Sequence, residues 1–433
     1  MKVKTVRLGT AAGEKAIKAM CERPAFDTKA EREAAAILSQ VRTKGNRAVL
    51  KFAEKFDGAR LHSGNLRVGA REIGDASKNV PAAARSAIRK SYRRIMAFAR
   101  AGMRKDWRMR SPGGGILGEQ FVPLDRVGIY VPGGVTPLIS TALMTATLAK
   151  AAGVPEIVAC TPARGGRDLN PVLLHALAVA GATEIYRVGG VHSIGLMAYG
   201  TKTVQKVQKI VGPGATHVTA AKRQVYGTVA LDLVAGPSEI AVLADSSANS
   251  RYVAADLLSQ AEHGSGHERV LLVTTSKRVA GQTASQLVLQ AGRLSRSAAI
   301  RKVLSRGTLI VLARNLDEGM EVCNRFAPEH LEIMVRRPSA WLKKVKCAGA
   351  VFLGPWSPEA VGDYVAGPSH VLPTGGTAGM FSGLTVDDFR RRSSFVAFSR
   401  ADLKKMLPVV ETFGAIEELD AHARSARIRF EDC

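Results

Sequence analysis

The 433-residue sequence lacks several features that would place it quickly. It has no run of about 18 uncharged apolar residues, which argues against a membrane-spanning helix. The opening MKVKTVRLGT has no apolar stretch of the kind a secretory signal needs, so a cytoplasmic protein is expected. Only five cysteines occur (Cys21, Cys160, Cys323, Cys347 and Cys433), widely spaced and without a C-x-x-C pair. That pattern argues against both a disulfide framework and a thiolate zinc site. The G-x-G-x-x-G fingerprint of a dinucleotide-binding turn is missing, and so are fixed-period repeats and low-complexity segments.

What the chain does have is size and positive charge. At about 150 residues per domain its length allows roughly three folding units. An apolar fraction of 46%, a charged fraction of 23% and 42 glycines are globular values. Lys and Arg number 62 against 37 Asp and Glu, leaving +25 and raising the question of an anionic partner. The basic residues are densest from Arg85 to Arg110, punctuating Ala, Ile, Met and Phe at helical spacing, as on an amphipathic helix with a solvated face. Tyr92, Phe98 and Trp107 are the few stacking candidates there, and no helix-turn-helix, RRM or KH signature accompanies them. Nucleic-acid binding is therefore carried only as a lesser alternative.

From about residue 125 onward, short β-branched runs alternate with Ala-rich helical patterns. The first series is Val127 to Val131, Glu156 to Cys160, Glu184 to Val188 and Lys209 to Val211. The second is Ile240 to Leu243, Val270 to Thr274, Thr308 to Leu312 and Ala350 to Leu353. This rhythm indicates βαβ units in two mainly parallel α/β layers. Residues 13 to 56 read as helical, SPGGG (111 to 115) reads as a boundary, and the last sixty residues read as a helical tail.

Several short segments carry candidate chemistry. In DLLSQAEHGSGH, Gln260 and His263 stand three apart at the end of a helical pattern, on one face, with Gly264 expected to stop the helix. In NRFAPEHLEI, Glu329 and His330 follow Pro328, which reads as the first position of a helix, and offer two proton-transfer groups of different basicity. Asp363 and His370 lie in a Gly- and Pro-rich loop after an apolar strand, where α/β proteins often hold ligands. Glu417 and His422 are five apart on an expected helix. RVGIYVPGG and KIVGPG are strands running into glycine turns able to bring backbone amides near a phosphate.

Taken in order, YVPGG, GPG, AGPSE, QAEHG, APEHLE, GDY, HVLPTGG and EELDAHARSAR resemble the motifs of the histidinol dehydrogenase family across nearly the whole chain. The resemblance implies a zinc-containing, NAD-dependent oxidation of L-histidinol to L-histidine through an aldehyde-level intermediate, the last step of histidine biosynthesis. It implies zinc ligands at Gln260, His263, Asp363 and His422, and a catalytic pair of His330 as base and Glu329 as activator of water. Ser238, His370 and Glu417 match substrate-contacting positions, together with the zinc ligands and His330. Tyr130, His192 and Ala215 stand at positions that face NAD+.

Two of those depart from the family pattern, which has Gln at His192 and Asn at Ala215. Histidine still hydrogen-bonds and alanine does not, a loss of about 0.5–1.5 kcal/mol for that contact, or a few-fold to roughly tenfold in affinity. Ser369 and Gly379 also depart, where Asn and Arg are common. These differences leave room for a paralogue oxidising another alcohol such as sulfopropanediol, whereas Glu417 and the HARSAR ending favour histidinol.

The implied fold is α/β: two incomplete Rossmann-like domains with parallel-rich sheets plus helical terminal extensions, in a domain-swapped homodimer with shared active sites. The expected limits are a helical extension over 1–26, a first α/β domain over 27–125 plus 237–375, an NAD-facing domain over 126–236, and a tail over 376–433 that reaches the partner's site. The active site is expected in the cleft between the layers.

Overall fold

The computed structural model describes residues 3–431 apart from 23–26, 134–136, 167, 235 and 264. It divides into two compact units, one of Met1–Gly102 with Leu124–Phe389 and one of Met103–Pro123 with Arg390–Cys433.

The first unit is built on two wholly parallel sheets. The larger has the order Lys4–Arg7, Thr308–Leu312, Arg269–Thr274, Glu239–Ala244, His330–Met334, Ala350–Leu353. Its central strands EIAVLA and HLEIM are buried at every position, as expected when helices cover both faces. On one face Ile240, Val242, Val270, Leu272 and Met334 pack with Val253, Leu257 and Leu258 of the helix Ser250–Ala261. On the other, Leu243, Val273, Leu331 and Ile333 pack with Ile17, Met320 and Phe326.

Two readings from the sequence change here. The N-terminal segment is more than a helical extension, because Lys4–Arg7 supplies the sheet's edge strand ahead of the helix Ala11–Cys21. His330 opens a strand rather than a helix, flanked by Ile240 and Ala350. Pro328 suits a helix start, but two parallel neighbours bond the chain beyond it in extended form.

The second sheet has the order Glu184–Tyr186, Glu156–Cys160, Arg126–Tyr130, Lys209–Val211, Ala230–Leu231. Its core includes Ala30, Ala34, Leu38 and Val41 from the helix Thr28–Lys44. Residues expected to start the first α/β domain at 27 thus pack with the second sheet, because that helix's apolar stripe lies on the helices Gly190–Tyr199 and Thr216–Val225. Arg126 ties the amino edge together, bonding Glu156 at 2.7 Å and Glu184 at 2.8 and 3.0 Å.

The second unit is an antiparallel sheet of Arg390–Ala397, Ile116–Pro123 and Trp107–Arg110, with the helices Arg400–Ile416 and Asp420–Arg427. SPGGG joins two of these strands as a hairpin turn and is not a linker between domains. The expected helical tail likewise contains a strand, whose sequence RRRSSFVA is exposed and polar enough to hide it. No helix among the described residues is long and apolar enough to cross a membrane.

Candidate active site

His330 is the first residue of its strand, so its side chain projects at the amino edge of the larger sheet. The ring is 3% exposed. Its Nδ1 lies 3.2 Å from the Glu239 carbonyl, and its Nε2 is buried without a hydrogen-bond partner. Burial lowers the imidazole to about 4, against the opposing pull of the Asp363 charge. The neighbouring Glu329 accepts the Glu239 backbone N–H at 3.0 Å, yet burial pushes its carboxyl well above the usual range.

The helix Ser250–Ala261 runs back along the sheet and delivers Gln260 to the same edge. Asn249 caps its start by accepting from the Arg251 N–H (2.9 Å). With its nitrogen turned to the sheet, the Gln260 amide donates to Glu359 Oε1 (3.2 Å) and the Glu239 carbonyl (3.3 Å), with His330 Nδ1 2.9 Å away. Its oxygen accepts from His263 Nδ1 at 3.2 Å, so an amide oxygen and an imidazole stand side by side. Gly264, expected to end this helix, lies outside the described residues; the helix closes at Ala261.

Asp363 sits in the irregular turn Gly362–Ala366, whose Tyr364 carbonyl accepts from the buried Ser91 hydroxyl at 2.6 Å. Its Oδ1 is 3.8 Å from both His330 Nε2 and His370 Nδ1. His370 Nε2 in turn lies 3.4 Å from the Thr141 hydroxyl, and burial lowers the His370 pKa. Ser369 hydrogen-bonds the Met144 carbonyl at 3.2 Å.

Sequence reading missed Glu359, which is 1% exposed and has Oε1 3.8 Å from His330 Nδ1. Its other oxygen accepts from Ser259 at 3.0 Å, and its backbone N–H bonds the buried Glu332 at 2.9 Å. Burial raises the Glu359 and Glu332 carboxyls well above the usual range and lifts Asp256, beside Glu332, to about 6. The signal for Glu359 was its position four residues before Asp363, which sets two carboxylates on one helical face. His330, Glu359 and Asp363 offer ligand atoms all within 4.8 Å of one another.

The other expected residues fall in three places. Ser238 directly precedes the strand Glu239–Ala244. Tyr130 ends its strand at the carboxyl edge of the second sheet, accepting the Gly190 N–H at 3.3 Å, while burial pushes its hydroxyl up to about 12. His192 lies in the first turn of Gly190–Tyr199, buried at 1% exposure. Ala215 is exposed and precedes the helix Thr216–Val225, giving it no side-chain cap. Glu417 and His422 belong to the second unit, Glu417 at the end of Arg400–Ile416 and His422 in Asp420–Arg427.

The carboxyl edge of the second sheet is also shaped for close approach. A Cβ at Gly133 or Gly189 would meet Pro162 at 2.5 Å, and one at Gly212 (φ +115°) would meet the Tyr130 carbonyl at 2.2 Å. Asp232 accepts the Gly212 N–H at 2.7 Å and pairs with the buried Lys222, which donates to the Gly212 carbonyl at 2.8 Å. Of the YVPGG turn, Gly134 lies outside the described residues, as does Ala235 of AGPSE.

A family model for histidinol dehydrogenase matches residues 21–430. The chain belongs to the histidinol dehydrogenase family. A histidinol dehydrogenase of Heliobacterium mobile is 43% identical over 399 residues, covering 92% of this chain and 93% of the relative. One of a Synechococcus species is 42% identical over 412 residues, covering 95% of each. The crystal structure of histidinol dehydrogenase from Elizabethkingia anophelis superposes with a TM-score of 0.94 at 32% identity, covering 99% of this chain and 98% of that one. The family is one of NAD-dependent, zinc-containing oxidoreductases, and membership sets aside nucleic-acid binding as the main function.

Proposed function

We propose that this chain oxidises L-histidinol to L-histidine in the cytoplasm, with Gln260, His263, Asp363 and a partner chain's copy of His422 as zinc ligands and His330 and Glu329 as the proton-transfer pair. The observation that carries the reading is the buried, unpartnered His330 Nε2 facing Asp363, beside the Gln260–His263 pair, in a chain of this family.

The donor chemistry suits zinc: an amide oxygen, an imidazole and a carboxylate are an N/O set able to leave positions open for substrate. The glycine-lined carboxyl edge beside Tyr130 suits a dinucleotide. When bound, zinc would supply a Lewis acid for the substrate, and the cofactor would supply the hydride acceptor, two NAD+ molecules each taking one hydride per histidinol. His330 takes the alcohol proton at Nε2 in the tautomer that carries its proton on Nδ1, which requires the Gln260 amide to turn its oxygen to Nδ1, 2.9 Å away, with the Glu239 carbonyl as the second acceptor at 3.2 Å. An imidazole lowered by burial is neutral, and so able to accept, throughout the neutral range. Glu329 then assists the water that adds to the aldehyde, giving the hydrate whose second oxidation yields the acid. Ser238 and His370, with Glu417 of a partner chain, would orient the substrate, and Tyr130, His192 and Ala215 would face the cofactor.

The homodimer with exchanged tails is part of the same reading. It is supported by the helices of the second unit, where Val409, Phe413, Ile416, Leu419 and Ile428 are exposed and almost nothing is buried. The domain limits would then be read as two sheet-centred parts, with 126–236 facing NAD+ and joined by the helices from residue 28. Zinc analysis tests the ligand set: the wild type should hold one zinc per chain, and His263→Ala should lose it together with NADH formation while remaining folded. Full zinc and full activity in His263→Ala would overturn the assignment.

A further inference from the structure

The carboxyl edge of the second sheet holds a buried polar couple, His192 and Asp57, of which Asp57 has no role above. His192 follows the strand Glu184–Tyr186, and its ring stacks on Phe56 (6.3 Å between centroids, 29°) and tilts against Phe52 (6.2 Å). Both ring nitrogens are buried without a hydrogen-bond partner. So is Oδ2 of Asp57, whose side chain is 8% exposed and approaches His192 Nε2 to 3.6 Å. Asp57 ends the turn Ala53–Asp57, far from these strands in sequence. Buried polar atoms are nearly always paired, so Nε2 and Asp57 Oδ2 facing each other, with Nδ1 left over on another edge of the ring, mark a place where a ligand completes the set.

The Nδ1 edge of the ring, itself buried, faces Gly190. Its Nδ1 and Cε1 lie 3.6 Å from where a side chain at Gly190 would begin, and Gly190 is the residue whose N–H binds the Tyr130 hydroxyl. Glycine at 190 therefore leaves the Nδ1 edge facing the start of a helix, on the side where Tyr130 ends its strand. A neutral imidazole donates from one nitrogen and accepts at the other, so whatever takes the Nε2–H decides what Nδ1 offers.

We propose that Asp57 is a positioning residue for the cofactor: it accepts the Nε2–H of His192 and so holds Nδ1 as an acceptor for a hydroxyl or amino donor of the dinucleotide. This rests on the reading that NAD+ occupies this edge. A glutamine at 192 would need no such orienter, because its amide turns to present either atom. Asp57 is thus the companion of a histidine in this position.

The test is NADH binding by the purified, zinc-loaded protein, followed by fluorescence, with steady-state kinetics on the same samples. Asp57→Ala should weaken NADH binding about tenfold, the size of one charge-assisted hydrogen bond. The loss should appear in KM for NAD+ and not in kcat at saturating NAD+. Asp57→Asn, which still accepts a hydrogen bond, should recover most of it. In a His192→Gln background, Asp57→Ala should change binding less than about twofold, since the coupled partner is gone. Unchanged binding in Asp57→Ala, or an equal loss with and without His192, would overturn the proposal. A wild type that carries zinc but binds no NADH would instead bring down the cofactor reading and this inference with it.

Discussion

Glu329 and His330 are adjacent at the entry to a strand, with Glu329 Oε2 3.8 Å from His330 Nδ1, and their environments push them in opposite directions. Burial raises the carboxyl and lowers the imidazole, which leaves an acid and a base of different strength within one site. Glu329→Gln keeps the size and the bond from the Glu239 N–H while removing the titrating group. It should slow formation of histidine from the aldehyde by about 10²–10⁴-fold, measured with histidinal supplied directly, and a variant as fast as wild type would remove Glu329 from the reaction. At this scale motifs singled out Gln260, His263 and Asp363, and the structure sets them around His330. The sequence marked Glu359 only by its spacing from Asp363 and was silent on Asp57, whose place beside His192 comes from burial next to an imidazole distant in sequence.

Elements were legible in proportion to their burial. Runs such as EIVAC and TLIVL read as strands because both faces are covered and β-branched residues fill them. Lys4–Arg7 and Arg390–Ala397 did not, because an edge strand and an exposed strand keep their polar residues. The strand at His330 was hidden by Pro328, whose local preference was overridden by two parallel neighbours. At the amino edge of the second sheet, Arg126 bridges two strands through Glu156 and Glu184. Arg126→Met leaves those carboxylates facing each other and should cost about 3 kcal/mol, seen as a lower urea midpoint. The Arg126 hydrogen bond lowers the Glu184 pKa, so the stability it gives is present above the unfolded value near 4.5 and is lost as pH falls through the lower folded value. Wild type should therefore lose part of its advantage over Arg126→Met as the pH drops below about 4.5, and a difference that is constant with pH would contradict the ion pair's role.

At the scale of the whole molecule, the proposed exchange of tails makes each site a product of two chains. A His263→Ala protomer and a His422→Ala protomer would each form inactive homodimers, yet their heterodimer would hold one site with both defects and one with neither. Mixing under subunit exchange should restore about a quarter of wild-type activity, from random pairing with one good site per heterodimer. No recovery despite demonstrated exchange would place His422 outside the partner's site. The larger sheet also gathers these candidate residues at the amino edge of its strands, opposite to the usual ligand position in doubly wound folds, because the helix Ser250–Ala261 returns Gln260 there. The central claim is tested most directly by the yield of NADH per L-histidinol consumed by the zinc-loaded protein with excess NAD+. A ratio of two is predicted, since alcohol to acid removes four electrons as two hydrides. A ratio of one, or no NADH from a folded protein carrying zinc, would contradict the account.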